Sequence, residues 1–253
     1  MNLHLSAINL FNGKLPGIPH KKLLINTVNA HSFNVAQKDP FYAKALLASD
    51  ILLPDGISIV LAKKLLNRKM IKKIAGADLF HHEMKRLNEI SGTCFFLGSN
   101  RRTLDRIIEQ SQQEYPNVRV FTHSPPYSEN FSPVDSQHMI SVVNRCKPDV
   151  LFIGMTAPKQ EKWAYEHFDK LEAGHICSIG AVFDIYAGNV KRAPLWMINS
   201  GLEWFYRLIK EPRRLWRRYL LGNFIFIGYI IREKAILKIN KKQKTWFMYD
   251  YLL

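Results

Sequence analysis

A chain of 253 residues with 47% apolar content and a net charge of +15 is long enough for one sizeable core and too apolar for a disordered polymer. Its three cysteines, Cys94, Cys146 and Cys177, form no CxxC pair and make a poor disulfide framework, so small buried thiols in a reducing compartment are expected. Fourteen Lys or Arg against three Glu fall between residues 191 and 244, which places +11 of the charge in that window and predicts a tail that meets nucleic acid, anionic lipid or a phosphorylated substrate.

Residues 1–12 carry neither a basic n-region nor a long apolar core, so no secretion signal is expected there. Apolar runs at 22–28, 51–53, 94–97, 118–121, 150–153 and 176–179 predict strands. Helical patterns at 33–47, 57–66, 77–90, 102–115, 136–146 and 159–171 lie between them. Strand alternating with helix predicts an α/β fold whose mostly parallel sheet is covered on both faces. Ser124-Pro125-Pro126-Tyr127 and Ser132-Pro133-Val134-Asp135 bracket a surface loop. The α/β part spans 1–192, and a helical, basic and aromatic extension spans 193–253. Within the extension, residues 204–219 hold six cations and five aromatics, and an apolar run at 220–231 follows. That run has 12 residues with Asn223 inside it, short of the roughly 20 a spanning helix needs, so an interfacial or packed helix is expected.

In an open α/β sheet ligands bind beyond the carboxyl ends of the strands. Four loops qualify there. In Leu53-Pro54-Asp55-Gly56, Pro54 rigidifies the strand exit and Gly56 permits a close turn. Asp55 is thereby set before a helix, as a general base toward a hydroxyl or as an N-cap. After the first strand, Thr27 and Asn29 fall on one side of an extended chain and can face one ligand. The alternative is turn chemistry with Ser32 capping the next helix. Gly98 closes the third strand. In Gly154-Met155-Thr156-Ala157-Pro158-Lys159-Gln160, Pro158 suits a first helical turn, and Thr156, Lys159 and Gln160 cluster where an anion or sugar binds, or form an ordinary strand-to-helix joint. Gly180 allows close approach of a ligand, and Asp184 reads as a buried acid that bonds a ligand hydroxyl, holds its loop or pairs with Arg192.

Were 204–220 one helix, Arg207, Lys210, Arg214, Arg217 and Arg218 would share a face about 100° wide. Pro212 interrupts that helix, and Arg214, Arg217 and Arg218 still share a face after it. Arginine forks match phosphate oxygens, so a diphosphate is the expected ligand. The sequence has no Asp-x-Asp, no GxGxxG and no GxxxxGK[ST], and His81-His82-Glu83 lacks the HExxH spacing.

In order along the chain stand Thr27-x-Asn29, Asp39-Pro40, Leu53-Pro54-Asp55-Gly56, Gly76-Ala77-Asp78-Leu79, Phe96-Leu97-Gly98, the Gly154 to Glu161 segment, Gly180-Ala181-Val182-Phe183-Asp184, Ala187-Gly188, Arg192-Ala193-Pro194 and the block from Gly201 to Arg214. This set resembles the WecG/TagA/CpsF family of bacterial glycosyltransferases, over residues 23–226. The resemblance implies a Rossmann-like catalytic domain over 1–192 and a membrane-targeting C-terminal appendage over 193–253 that helps close the site. It implies inverting transfer from a UDP-sugar to a polyprenyl-diphosphate-linked saccharide for a cell-surface polysaccharide, with no cofactor and no bound metal. The sugar is N-acetylmannosamine, its uronic acid or glucose. Asp55 resembles the catalytic base, and Thr27 and Gln160 resemble residues that hold substrate. Arg207, Arg214 and Arg217 resemble arginines that contact a diphosphate. The expected substrate shell adds Asn29, Gly56, Gly98, Gly154, Thr156, Lys159, Gly180 and Asp184. The expected setting is the inner face of the cell membrane, on its cytoplasmic side. Nucleic acid is not an expected partner, because the tail's cations abut an apolar run that nucleic acid does not need.

Overall fold

The structure is a computed structural model that describes residues 3–250, the side chains at 199 and 240–250 aside; residues 251–253 of the expected appendage lie outside the described residues. The first half runs β1 (Leu23–Val28), α1 (Ala30–Lys38), α2 (Pro40–Leu47), β2 (Ile51–Pro54), α3 (Ile57–Asn67), α4 (Gly76–Ile90), β3 (Thr93–Gly98) and α5 (Arg101–Glu114). It continues with β4 (Arg119–His123), α6 (Pro133–Cys146), β5 (Val150–Gly154), α7 (Lys159–His167), β6 (His175–Ser178) and α8 (Ala181–Tyr186). The C-terminal helices are α9 (Leu195–Asn199), α10 (Glu203–Lys210), α11 (Pro212–Trp216) and, after a π turn over Arg217–Leu221, α12 (Gly222–Asp250).

The six strands form one sheet in the order β2-β1-β6-β5-β3-β4, and every neighbouring pair is parallel. Strand β3 is buried along its whole length, as a strand covered on both faces must be. Successive residues point to opposite faces. Phe96 joins Phe80, Phe152 and Phe183 on one side, while Phe95 joins Leu24, Leu151 and Trp163 on the other. Edge strand β4 alternates between exposed and half-buried residues. The α/β architecture with its helical C-terminal region is therefore the one expected, and Cys94, Cys146 and Cys177 are all free.

Local chemistry moves several predicted boundaries. The helix expected over 33–47 is two helices, because Asp39 precedes Pro40 and is held extended at φ −121°, ψ 96°. The Asp39 carboxylate then accepts from the Tyr42 amide at 2.9 Å and caps α2. Helix α1 starts earlier than predicted. Asn29, not Ser32, is its N-cap, and Ser32 is the reciprocal partner of a capping box. The helix expected over 159–171 stops at His167 and finishes in a 3₁₀ turn, Phe168–Lys170. Pro158 is the N-cap of α7, one position before the first helical turn, and follows a cis peptide bond. Pro212 does interrupt the C-terminal helix, with Glu211 between α10 and α11 at φ −133°.

A third apolar cluster covers the β1–β2 edge and binds α12 to it. Phe226 and Ile230 of α12 are buried there with Val28, Phe33, Tyr42 and Ile59. Phe226 meets Phe33 edge-to-face at 5.5 Å, and the Asn34 amide donates to the Gly222 carbonyl at 2.7 Å. Glu233, one turn further, is buried and accepts from the amides of Leu5 at 2.9 Å and Ser6 at 2.7 Å. Lys63 of α3 donates to the carbonyls of Ser6 and Ile8, which fixes the same segment from its other side. The opposite side of α12 exposes Phe224, Ile227 and Ile231. Among the described residues, no helix is long and apolar enough to cross a membrane.

Replacing Glu233 by Ala leaves the buried Leu5 amide and the half-buried Ser6 amide without their acceptor, a loss of about 2 kcal/mol. Hydrogen exchange read by mass spectrometry should then speed up at Leu5 and Ser6 by at least about tenfold; unchanged exchange would show that this contact does not hold the segment.

Candidate functional site at the carboxyl edge of the sheet

Strands β1 and β2 end side by side, with Val28 opposite Pro54. The Asp55 amide extends the ladder by donating to the Val28 carbonyl at 2.9 Å. Asn29 and Asp55 are thus brought together by strand register. Asn29 Oδ1 accepts from the Ser32 amide at 3.0 Å to cap α1, and the Asn29 side chain favours the charged form of the nearby Asp55. Asp55 itself caps nothing. The N-cap of α3 is Gly56, whose φ of +112° suits glycine and which offers no side chain to the helix. The capping alternative for Asp55 therefore falls, and its carboxylate is left facing the site.

The charges around Asp55 come from three further segments. The Ile74 amide donates to the Pro54 carbonyl at 3.0 Å, which fixes the loop between α3 and α4 and carries Lys73 to the site. Helix α10 brings Glu203 and Arg207, and the π turn brings Arg218. Burial and the Glu203 carboxylate push the Asp55 carboxyl up to about 6, against the opposing pull of Lys73, Arg207 and Asn29. Burial lowers His31 on α1 to about 4, with Arg218 beside it adding to the effect. Arg207 Nε and Arg218 Nε are buried and have no hydrogen-bond partner. Unpartnered guanidinium nitrogens next to a carboxylate of raised pKa are what a site for an anionic substrate needs.

Comparison with known proteins shows the family. The family described as "Glycosyl transferase WecG/TagA/CpsF family" matches residues 15–240. The chain belongs to this family. A similar protein from Bacillus subtilis strain 168 is 33% identical over 224 residues, 88% of this chain and 82% of the relative. One from Bacillus spizizenii is 30% identical over 87% of this chain and 83% of its own length. One from Staphylococcus aureus strain MW2 is 27% identical over 87% and 84%. All three relatives carry the name N-acetylglucosaminyldiphosphoundecaprenol N-acetyl-beta-D-mannosaminyltransferase. This chain is a glycosyltransferase.

Within this glycosyltransferase the predicted site residues divide. Thr27, Asn29, Asp55 and Gly56 lie together where β1 and β2 end. Arg207 joins them from α10. Gly98 and Gly154 are register partners at the ends of β3 and β5. Gln160 is buried and committed to protein groups: its Oε1 accepts from Met155 and Gly180, and its Nε2 donates to Glu161. It laces the loops after β5 and β6. Thr156 is exposed on the first of these loops. Lys159 turns to the Pro-rich loop, where it bonds the Ser128 carbonyl and sits over the Phe131 ring.

Asp184 is exposed, not buried, because α8 turns it away from Phe183 to solvent. It holds its own loop by accepting from Asn189, and Arg192 faces Asp78 and Glu203 instead. Arg214 is exposed and pairs with Glu211 at 2.6 Å, Arg217 is exposed and lies over the Trp216 ring, and Arg218 in the π turn is half-buried, with the charges of Arg207, Asp55 and Arg214 acting on it. Lys73 and His31 lie beside Asp55 and Arg218 without a local motif that marks them, their one signal being position in segments that flank recognised motifs, and Glu203 stands inside the block from Gly201 to Arg214 without having been singled out.

Glu161 beneath the site is fully buried, and burial pushes its carboxyl up to about 7 from an ordinary 4.5. The native state therefore binds that proton more tightly than the unfolded chain. This contribution to stability is full below pH 4.5 and is lost as pH rises through about 7. Urea midpoints of wild type and Glu161→Gln at pH 5 and pH 8 should show a larger alkaline loss in wild type, and equal losses would contradict the assignment.

Proposed function

We propose that the chain transfers an N-acetylhexosamine from a UDP-sugar to a polyprenyl-diphosphate-linked saccharide, with inversion and without a metal. The relatives' names favour N-acetylmannosamine as the sugar and an N-acetylglucosaminyl-diphosphate lipid as the acceptor. The observation that carries the mechanism is Asp55, pushed up to about 6 and facing unpartnered arginine nitrogens. A carboxylate poised there is deprotonated at neutral pH yet basic enough to take a hydroxyl proton.

In the proposed step Asp55 accepts the proton of the acceptor hydroxyl as its oxygen bonds to the anomeric carbon. The bond from that carbon to the UDP oxygen breaks on the opposite face, and UDP leaves with the electron pair. Lys73, Arg207 and Arg218 offset the charge that develops on the departing diphosphate. The His31 imidazole, lowered to about 4, is neutral at working pH and adds no competing cation. Thr27 and Asn29 orient the hydroxyl, and Gln160 shapes the rim by fixing the loops behind it.

The C-terminal helices suit a lipid-borne acceptor. Trp196, Phe205, Ile209, Trp216, Phe224 and Ile227 are exposed, with Arg213, Arg214 and Arg217 exposed among them. Exposed aromatics and cations together favour the surface of an anionic bilayer. We take residues 193–253 as the part that meets the membrane from its inner face, with 1–192 as the catalytic part.

Asp55→Asn should reduce turnover by at least about a thousandfold while UDP still binds. In wild type, kcat/KM should fall below about pH 6, where Asp55 gains its proton. Both are read as UDP release with a polyprenyl-diphosphate-sugar acceptor in detergent, with EDTA present throughout. Undiminished turnover in the variant would remove Asp55 from the mechanism, and release that stops with EDTA would show a metal to be required.

A further inference from the structure

The C-terminal helices meet the α/β fold along a seam of charge beside Asp55. Gly201 closes the seam with φ +74°, and a Cβ there would press on Ile57 at 3.0 Å. Glu203 follows as the first residue of α10. One of its carboxylate oxygens lies 3.4 Å from Lys73 Nζ, and the other lies 3.7 Å from Arg192 Nε. Arg192 also reaches Asp78 at 3.5 Å. These three contacts are long for charge-assisted hydrogen bonds, which close to about 2.7–2.9 Å. Arg192 Nε is buried and has no hydrogen-bond partner. A cavity of about 340 Å³ opens against the same group, lined by Ile57, Lys73, Asp78, Arg192, Leu195 and Ile198.

Two cations held apart by the two oxygens of one carboxylate form a seat that a phosphate group also fits. A phosphate supplies more oxygens and more charge, so it can shorten all of these contacts at once. Glu203 and Arg207 stand four residues apart on α10 and share a face of that helix. Movement of one carries the other. The charged groups around Glu203 are Lys73 from the loop after α3, Asp78 from α4, Arg192 from the segment after α8, Asp55 from the end of β2, and Arg207 on its own helix.

We propose that Glu203 is a positioning residue that occupies, in the empty protein, the seat of a substrate phosphate between Lys73 and Arg192, and that a diphosphate displaces it on binding. The identity of the anion as a diphosphate rests on the glycosyltransferase reading above. While seated, Glu203 holds α10 against the site. Once displaced, it frees α10 to settle with Arg207 on the incoming diphosphate. The carboxylate is thus a competitor for the seat, and its removal increases affinity for the anion.

The test is calorimetric titration of the full chain with inorganic pyrophosphate and, separately, with UDP. Glu203→Gln should bind pyrophosphate about five- to tenfold more tightly than wild type, and Glu203→Asp should bind it with an intermediate affinity. Adding Lys73→Met to Glu203→Gln should abolish the gain. Thermal unfolding of each variant confirms that it is folded, and Glu203→Asp carries the test if the glutamine variant is not. A Glu203→Gln protein, or a Glu203→Asp protein in its place, that binds pyrophosphate no more tightly than wild type would overturn the proposal. A gain in pyrophosphate affinity without acceptor-dependent UDP release from any UDP-sugar would leave the seat standing and remove the glycosyltransferase assignment of the anion. A purely structural Glu203 would lower stability without raising anion affinity.

Discussion

Phe33 of α1 and Phe226 of α12 meet edge-to-face at 5.5 Å, and the arrangement of the site depends on that contact. Helix α1 leaves the carboxyl end of β1, directly beside Asn29. Whatever packs on Phe33 is therefore fixed relative to the strand ends. Phe226 lies one turn beyond the start of α12, and the π turn that carries Arg218 lies just before it. An aromatic contact in a buried cluster thus helps set the position of a guanidinium on which the Asp55 charge acts. A side chain placed by packing is held more firmly than one placed by an exposed ion pair.

The electrostatics of the mouth follow from a contest of five influences on one carboxylate. Burial and Glu203 raise the Asp55 pKa, while Lys73, Arg207 and Asn29 lower it. The first pair prevails, and the carboxyl reaches about 6. Glu203 is distinctive because it acts on both sides of the balance. It raises Asp55 directly, and it partly neutralises Lys73, which would otherwise lower it further. A diphosphate in place of Glu203 keeps a negative group at that position, so the basicity of Asp55 survives the exchange.

The strands were legible in the sequence because β3 and β5 are unbroken apolar runs, which only a strand covered on both faces requires. Asp55 and Thr27 were legible as candidates because they stand at strand ends, yet their meeting was not. It depends on Val28 lying opposite Pro54, a pairing between separate segments. Asp184 misled because its neighbours Phe183 and Ile185 are apolar, and the short helix α8 nevertheless turns it to solvent. The arginines of the C-terminal segment were legible as a group, but their unequal burial was not, because a helical wheel does not show what packs against each of them: Arg218 is half-buried, while Arg214 and Arg217 are exposed. Gln160 was legible with Thr156 and Lys159 at a helix N-terminus, but its bonds to Met155, Gly180 and Glu161 are loop-level facts that no spacing reveals.

Glu233 accepts the amides of Leu5 and Ser6 across 228 and 227 positions of sequence. On a ribosome a chain emerges from its amino end, so Leu5 and Ser6 are made 228 and 227 residues ahead of their acceptor. The turn at Leu5–Ala7 therefore cannot take its final place until Glu233 has been made. Strand β1 waits in the same way for β6, its neighbour in the sheet. The fold is closed like a clasp, the segment at Leu5 and Ser6 being locked only once α12 has arrived.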